Sequence, residues 1–316
     1  MRASTWIARI ITSVIALIVT PIALGMVATG GMQWRFAVMA GAYPGFEGPS
    51  LAVPVLQVAG GGLLLMAVVF TGIWSSAGLL TAGVLSLAPL VLASAPALMM
   101  GLYRLLNGAI PREWLDGLLM GIPLLLLPVL GGLGIALMML RRHPGPLPRA
   151  GNVIGLFVIP LALLLGGWAL AWGAGSASRQ LMQYLRFDAV PLVVLAIIGG
   201  TLLTVAALAA TRWSPYALLL PGVVLIVLNM LMLFGGDLVL LRMFAPLGVD
   251  VAGIILQLFE YCVPLAVGFV YLAFTVTALI VQRRSLRVSD DPAAADVPPT
   301  AYPEPQPQPQ QSYPAP

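Results

Sequence analysis

Eight stretches of this sequence stay apolar for about twenty residues or more, and that pattern leaves few folds open. They run approximately Ile7–Thr29, Leu51–Trp74, Leu79–Leu102, Leu115–Leu140, Val153–Trp172, Ala189–Ala210, Pro215–Phe234 and Val251–Val281. A helix needs about 20 such residues to cross the ~30 Å hydrocarbon layer of a bilayer. The sequence therefore predicts an all-α, polytopic helical membrane protein with eight transmembrane helices. Charged residues make up only 8% of the chain, against about a quarter in soluble domains, which excludes a water-soluble globule. Arg2 and Arg9 ahead of the first run have the look of a secretory signal. The run is longer than the 7–15 residues or so of a signal core, so it is read as the first span.

The second constraint is an internal echo. From Gly60 to Val84 the sequence matches Gly199 to Val223 at eleven of twenty-five positions, including a Trp-Ser pair at Trp74-Ser75 and Trp213-Ser214. At the same offset of 139, Ser13–Leu24 and Asn152–Leu163 agree at seven of twelve positions, Pro21 and Pro160 among them. A fixed register of this kind points to duplication. The expected organisation is a first four-span repeat over 1–144, a second over 145–287 and a tail over 288–316. An even number of spans per copy inserts both copies the same way up, so the halves should form parallel repeats about an axis along the membrane normal.

Orientation follows from the arginines, because cytoplasmic loops collect positive charge. There is no Lys; all fifteen positive side chains are Arg, a bias that fits a high-GC bacterial genome. With the N-terminus inside, nine arginines fall on the inner side and six outside, and the tight RRHPGPLPR and QRRSLR clusters follow the fourth and eighth spans. The expected location is a bacterial plasma membrane, with both termini cytoplasmic. The lipid bilayer is then the first partner. No nucleic-acid partner is expected from a net charge of +4. A single Cys (Cys262) and a single His (His143) leave no internal disulfide and no zinc or haem ligand set, so no cofactor is expected.

From Arg283 onward the composition changes, and SDDPAAADVPPTAYPEPQPQPQQSYPAP is rich in Pro and Gln and nearly free of aliphatic bulk. Such a segment cannot bury enough surface to fold and should remain a disordered, partly polyproline II tail. Its Tyr302-Pro303 and Tyr313-Pro314 units suit the aromatic grooves that bind extended Pro-rich chains, which makes a cytoplasmic protein partner plausible.

Within the spans, polar side chains are the usual marks of a route or a relay. Gln57, Asn229, Gln257 and Glu260 are candidates for a polar pocket, with Arg242 as a partner for the Glu260 charge; Asn229 alone lies deep and should form an interhelical hydrogen bond. Gly60 and Gly61 in the second span and Gly199 and Gly200 in the sixth mark a close crossing of those two helices on the repeat axis. In the outer loop ahead of the fourth span and at its edge, Glu113 and Asp116 sit three apart at a helix start, where both favour the positive end of its dipole. With Asp237 they form the candidate external acids, which Asp188 and Glu260 could join.

These residues favour a non-enzymatic protein, a scaffold or accessory subunit of a bacterial envelope assembly whose tail recruits a cytoplasmic partner. A transporter or flippase for a neutral or lipidic molecule would need Gln57, Asn229 and Glu260 to converge on one cavity. An outer-face enzyme would need the external acids to cluster.

Overall fold

The fold is known from a computed structural model, which describes residues 6–41, 51–142, 149–182, 188–234 and 237–289. Thirteen α-helices account for almost all of them: α1 (Trp6–Gly41), α2 (Ala52–Thr71), α3 (Ala77–Leu85), α4 (Leu87–Ser94), α5 (Pro96–Leu106), α6 (Arg112–Leu119), α7 (Ile122–Arg142), α8 (Arg149–Met182), α9 (Pro191–Ala210), α10 (Leu219–Leu233), α11 (Asp237–Phe244), α12 (Val249–Glu260) and α13 (Val263–Ser289). No strand occurs among the described residues. Eight helical segments are long and apolar enough to cross a membrane, so the protein is an all-helical, multi-pass membrane protein. The Pro/Gln-rich tail, with Tyr302, Pro303, Tyr313 and Pro314, lies outside the described residues, as does His143.

Helix ends depart from the apolar runs where the backbone imposes a break. The third run stops at Ser94, because Ala95 turns out of the helical region and Pro96 begins a separate helix. The fourth run divides at Gly121, whose φ of +77° is open to glycine and strained for most residues. The eighth divides in the same way at Cys262, which has φ +55° without being glycine. Pro123 and Pro264 then sit in the first turns of α7 and α13, where a missing N–H removes no helical bond. Conversely, α1 and α8 overrun their apolar stretches. With 36 residues α1 is about 54 Å long at 1.5 Å per residue, and nothing in GGMQWRFAVMAG stops it after Thr29.

Packing sorts the spans into a centre and a rim. About 78% of the α7 window and 67% of the α13 window are buried, against 28–39% of the other spans. These two helices pack against each other, and each is also flanked by the second span of the opposite half: α13 by α2 and α7 by α9. On the outside, α1 lies along α2, and α8 along α9. α3 and α10 close against α7 and α13 respectively. Leu126, Leu130, Leu133 and Leu137 of α7 and Phe274 of α13 are at most 1% exposed and belong to one core that runs through both halves.

Small residues set the closest approaches. A Cβ on Gly83 would lie 2.6 Å from the Gly131 Cα, and a Cβ on Gly131 would lie equally near Gly83, so α3 and α7 touch backbone to backbone. The glycines expected to join α2 to α9 are seated differently. A Cβ on Gly61 would meet Ala23 O and Val27 of α1, one on Gly60 would meet Met26, and one on Gly200 would come 2.5 Å from Leu170 N of α8, while Gly199 faces open space. These glycines bring each second span onto the first span of its own half, and it is α7 and α13 that meet at the centre.

Candidate functional site

At the end of the bundle where α13 begins, polar groups gather round the break between α12 and α13. Cys262 caps the first turn of α13 with a left-handed backbone, leaving N–H and C=O groups of the broken helix to find partners. Asn229 of α10, fully buried, supplies them: its Oδ1 accepts from Leu265 N at 3.1 Å and its Nδ2 points to Phe259 O at 3.5 Å. The expectation of an interhelical bond for Asn229 fits this contact, which lies on the backbone of a neighbouring helix end. Gln257, a turn earlier, donates from Nε2 to the Met120 sulfur at 3.2 Å, and the Ser178 hydroxyl approaches the same sulfur at 3.4 Å.

Glu260 is paired with Arg35, where the sequence suggested Arg242. Arg35 Nε lies 3.0 Å from Glu260 Oε2, Arg35 Nη1 donates to the Tyr261 hydroxyl at 2.8 Å, and the guanidinium sits 5.5 Å from the centre of the Tyr261 ring. Arg242 is exposed on α11. Arg35 reaches this position because α1 continues well past Thr29, and Gly31, one turn below, leaves room for the Tyr261 backbone; a Cβ there would lie 2.5 Å from Tyr261 O. Gln57 of α2 is half-buried, and its Oε1 accepts no hydrogen bond from a described residue. Three of the five pocket candidates, Asn229, Gln257 and Glu260, thus gather at one helix break, each engaged by protein groups.

The other face of the same stretch of α1 borders an open cleft of about 640 Å³. Met32, Gln33 and Phe36 of α1, Val53 and Pro54 of α2, and Arg112, Glu113 and Asp116 of α6 line it. α6 is held on α1 by close packing, since side chains at Gly25 and Gly117 would run into Trp114 and Ala28. Glu113 and Asp116, three apart on α6, therefore share one wall. Burial pushes the Asp116 carboxyl above the usual range; the Tyr103 hydroxyl, donating to its Oδ1 over 3.4 Å, opposes this, the Glu113 charge adds to it, and Arg112 opposes it. The result is an amphiphilic cleft: apolar on the α1 and α2 side, acidic on α6. Asp188 is exposed ahead of α9, and Asp237 opens α11 with its side chain outside the described residues.

Arg35, Tyr261 and Gln33 were not among the residues singled out from the sequence. Arg35 carried a usable signal, because no Pro, Asn or Asp interrupts the segment between Thr29 and Gly41. Tyr261 and Gln33 carried none. Comparison with known protein families, with characterised proteins and with solved structures finds no match to this chain.

Proposed function

We propose that the protein is a non-enzymatic component of a bacterial plasma membrane, a scaffold or accessory subunit of an envelope assembly, with both termini in the cytoplasm and a tail over 288–316 that recruits a partner. The observation that carries this reading is the closed centre. α7 and α13, where a transport route would run between two halves, meet through buried Leu, Val, Ala and Phe side chains. Asn229 and Glu260, the polar side chains at the break between α12 and α13, are bonded within the fold. The reading includes a duplicated four-span unit. Its support lies in mirrored neighbours, α1 with α2 and α8 with α9, α2 with α13 and α9 with α7. Further support comes from left-handed residues at Gly108 and Gly248 and at Gly121 and Cys262, 140 and 141 positions apart. Deleting 288–316 from the full-length protein should leave membrane insertion intact and remove specific co-purifying proteins. An unchanged partner set and unchanged localisation in the cell would overturn the recruiting role.

The cleft beside α6 favours a second reading, a transporter or flippase for a neutral or lipidic molecule, since its walls suit an apolar body with a polar head. Its test is movement of fluorescent phospholipid analogues across reconstituted vesicles. Equal rates for protein-containing and empty vesicles would eliminate it.

A further inference from the structure

The opposite end of the two central helices is strongly basic. α7 finishes with Arg141 and Arg142, and α13 carries Arg283 and Arg284 near its end. The two helices are neighbours, and Arg284 lies near enough to Arg141 for their charges to oppose each other, so the arginine ends of α7 and α13 meet at one end of the seam. Arg141 is anchored: Nη1 donates to Trp74 O at 3.1 Å and Nη2 donates to Gly72 O, both carbonyls just past the end of α2. Arg142, Arg283 and Arg284 are exposed. None of the four meets a carboxylate of the described residues, where the observed ion pair lies at the far end of α13.

Four like charges concentrated at one helix seam repel one another unless an anion sits among them. Two features identify the anion's setting. Trp74 and Trp213 are exposed at this same end, 63% and 47%, with Arg212 over the Trp213 ring at 4.6 Å, and exposed indoles mark the level of lipid headgroups. The charged groups are also all guanidiniums, whose planar forks match phosphate oxygens two at a time. Basic pockets between transmembrane helices at this depth suit anionic headgroups.

We propose that the arginine ends of α7 and α13 form one site for the phosphate of an anionic phospholipid, seated across the seam between the central helices. Arg141 shapes the floor of the site, and Arg142, Arg283 and Arg284 contact the headgroup. The bound lipid neutralises the repulsion and clasps the two helices together.

The test uses the full-length protein in phosphatidylcholine nanodiscs, with melting temperature read as phosphatidylglycerol replaces part of the phosphatidylcholine. Phosphatidylglycerol should raise the melting temperature saturably. The Arg142→Gln/Arg283→Gln/Arg284→Gln protein should need about tenfold more of it or lose the response, as expected for lost charge-assisted contacts. In pure phosphatidylcholine that protein should melt no lower than the parent, because repulsion has been relieved. The corresponding triple Arg→Lys protein, which keeps charge and loses the fork, should fall between the two. Should the triple Gln protein not fold, Arg283→Gln and Arg284→Gln are measured singly, each expected to weaken the response. An undiminished response in these variants would overturn the site, as would an equal loss in Arg104→Gln, an exposed residue of α5. The same stabilisation by millimolar inorganic phosphate in pure phosphatidylcholine would assign the site to a free anion and overturn the lipid assignment.

Discussion

The Arg35 guanidinium meets the Glu260 carboxylate at 3.0 Å, tying the first helix of the chain to the last turn before its final span. Both side chains are partly covered, 31% and 25% exposed, so the pair lies between a surface bridge worth about 0–1 kcal/mol and a buried one whose disruption costs about 3–5 kcal/mol. Replacing either partner, as Arg35→Met or Glu260→Gln, should destabilise the protein by about 1–3 kcal/mol. The double variant should lose less than the sum of the two. Thermal unfolding in detergent checks this, and strict additivity would show that the pair contributes nothing. Tyr261→Phe removes a single hydrogen bond to the same guanidinium and should cost about 1 kcal/mol.

Asn229, buried deep in α10, holds a neighbouring helix end together. Asn229→Leu leaves the Leu265 N–H without its acceptor in a water-free setting, and about 1–3 kcal/mol of stability should go with it. Hydrogen exchange offers the sharper readout: the amides of Leu265 and Ala266 should lose protection in the variant while those in the middle of α7 keep theirs.

The paired glycines make opposite predictions. Gly200→Ala and Gly131→Ala place a Cβ 2.5 Å from Leu170 N and 2.6 Å from Gly83 Cα, a clash with backbone that should cost about 1–3 kcal/mol each. Gly199→Ala, one residue away, meets nothing within 4 Å and should be neutral or stabilise by up to about 1 kcal/mol through helix propensity. Melting temperatures of the three single variants decide the matter; equal losses at Gly199 and Gly200 would contradict the helix pairing described.

Asp116 should make stability depend on pH. Burial raises its pKa in the folded protein, so over the window from the ordinary aspartate range up to that raised value the folded chain holds a proton that the unfolded chain has released. Its contribution is most favourable below the window and declines as pH rises through it. Asp116→Asn should abolish that part of the pH profile, and the gain in melting temperature over the parent should be larger at neutral pH than near pH 4. A constant gain at all pH values would refute the burial effect.

How far the sequence reveals this molecule depends on whether a feature is local. Eight apolar runs were legible because hydropathy and length suffice to define a span. The breaks were harder. Gly121 ahead of Ile122-Pro123 carries a conventional signal for a stop and restart, yet Cys262 adopts the same left-handed backbone with nothing in the sequence to announce it. Glu260 was consequently placed inside a continuous span, where the structure puts it at a helix terminus facing Arg35. The acid pair Glu113 and Asp116 was visible as local spacing on α6. The cleft they line was not, because its other walls come from Met32, Phe36 and Val53 on two separate helices. Glycine spacing showed that α2 and α9 approach some neighbour closely, but it could not say which one.

The exchange of flanking helices, with α2 against α13 and α9 against α7, bears on how the chain is made. A ribosome delivers α2 long before α13 exists, so one side of α2 must stay in lipid or with an insertase until the final span arrives. A message cut short before Glu260 would leave that side bare and Arg35 without its counter-ion, giving quality-control proteases a direct mark of an unfinished protein.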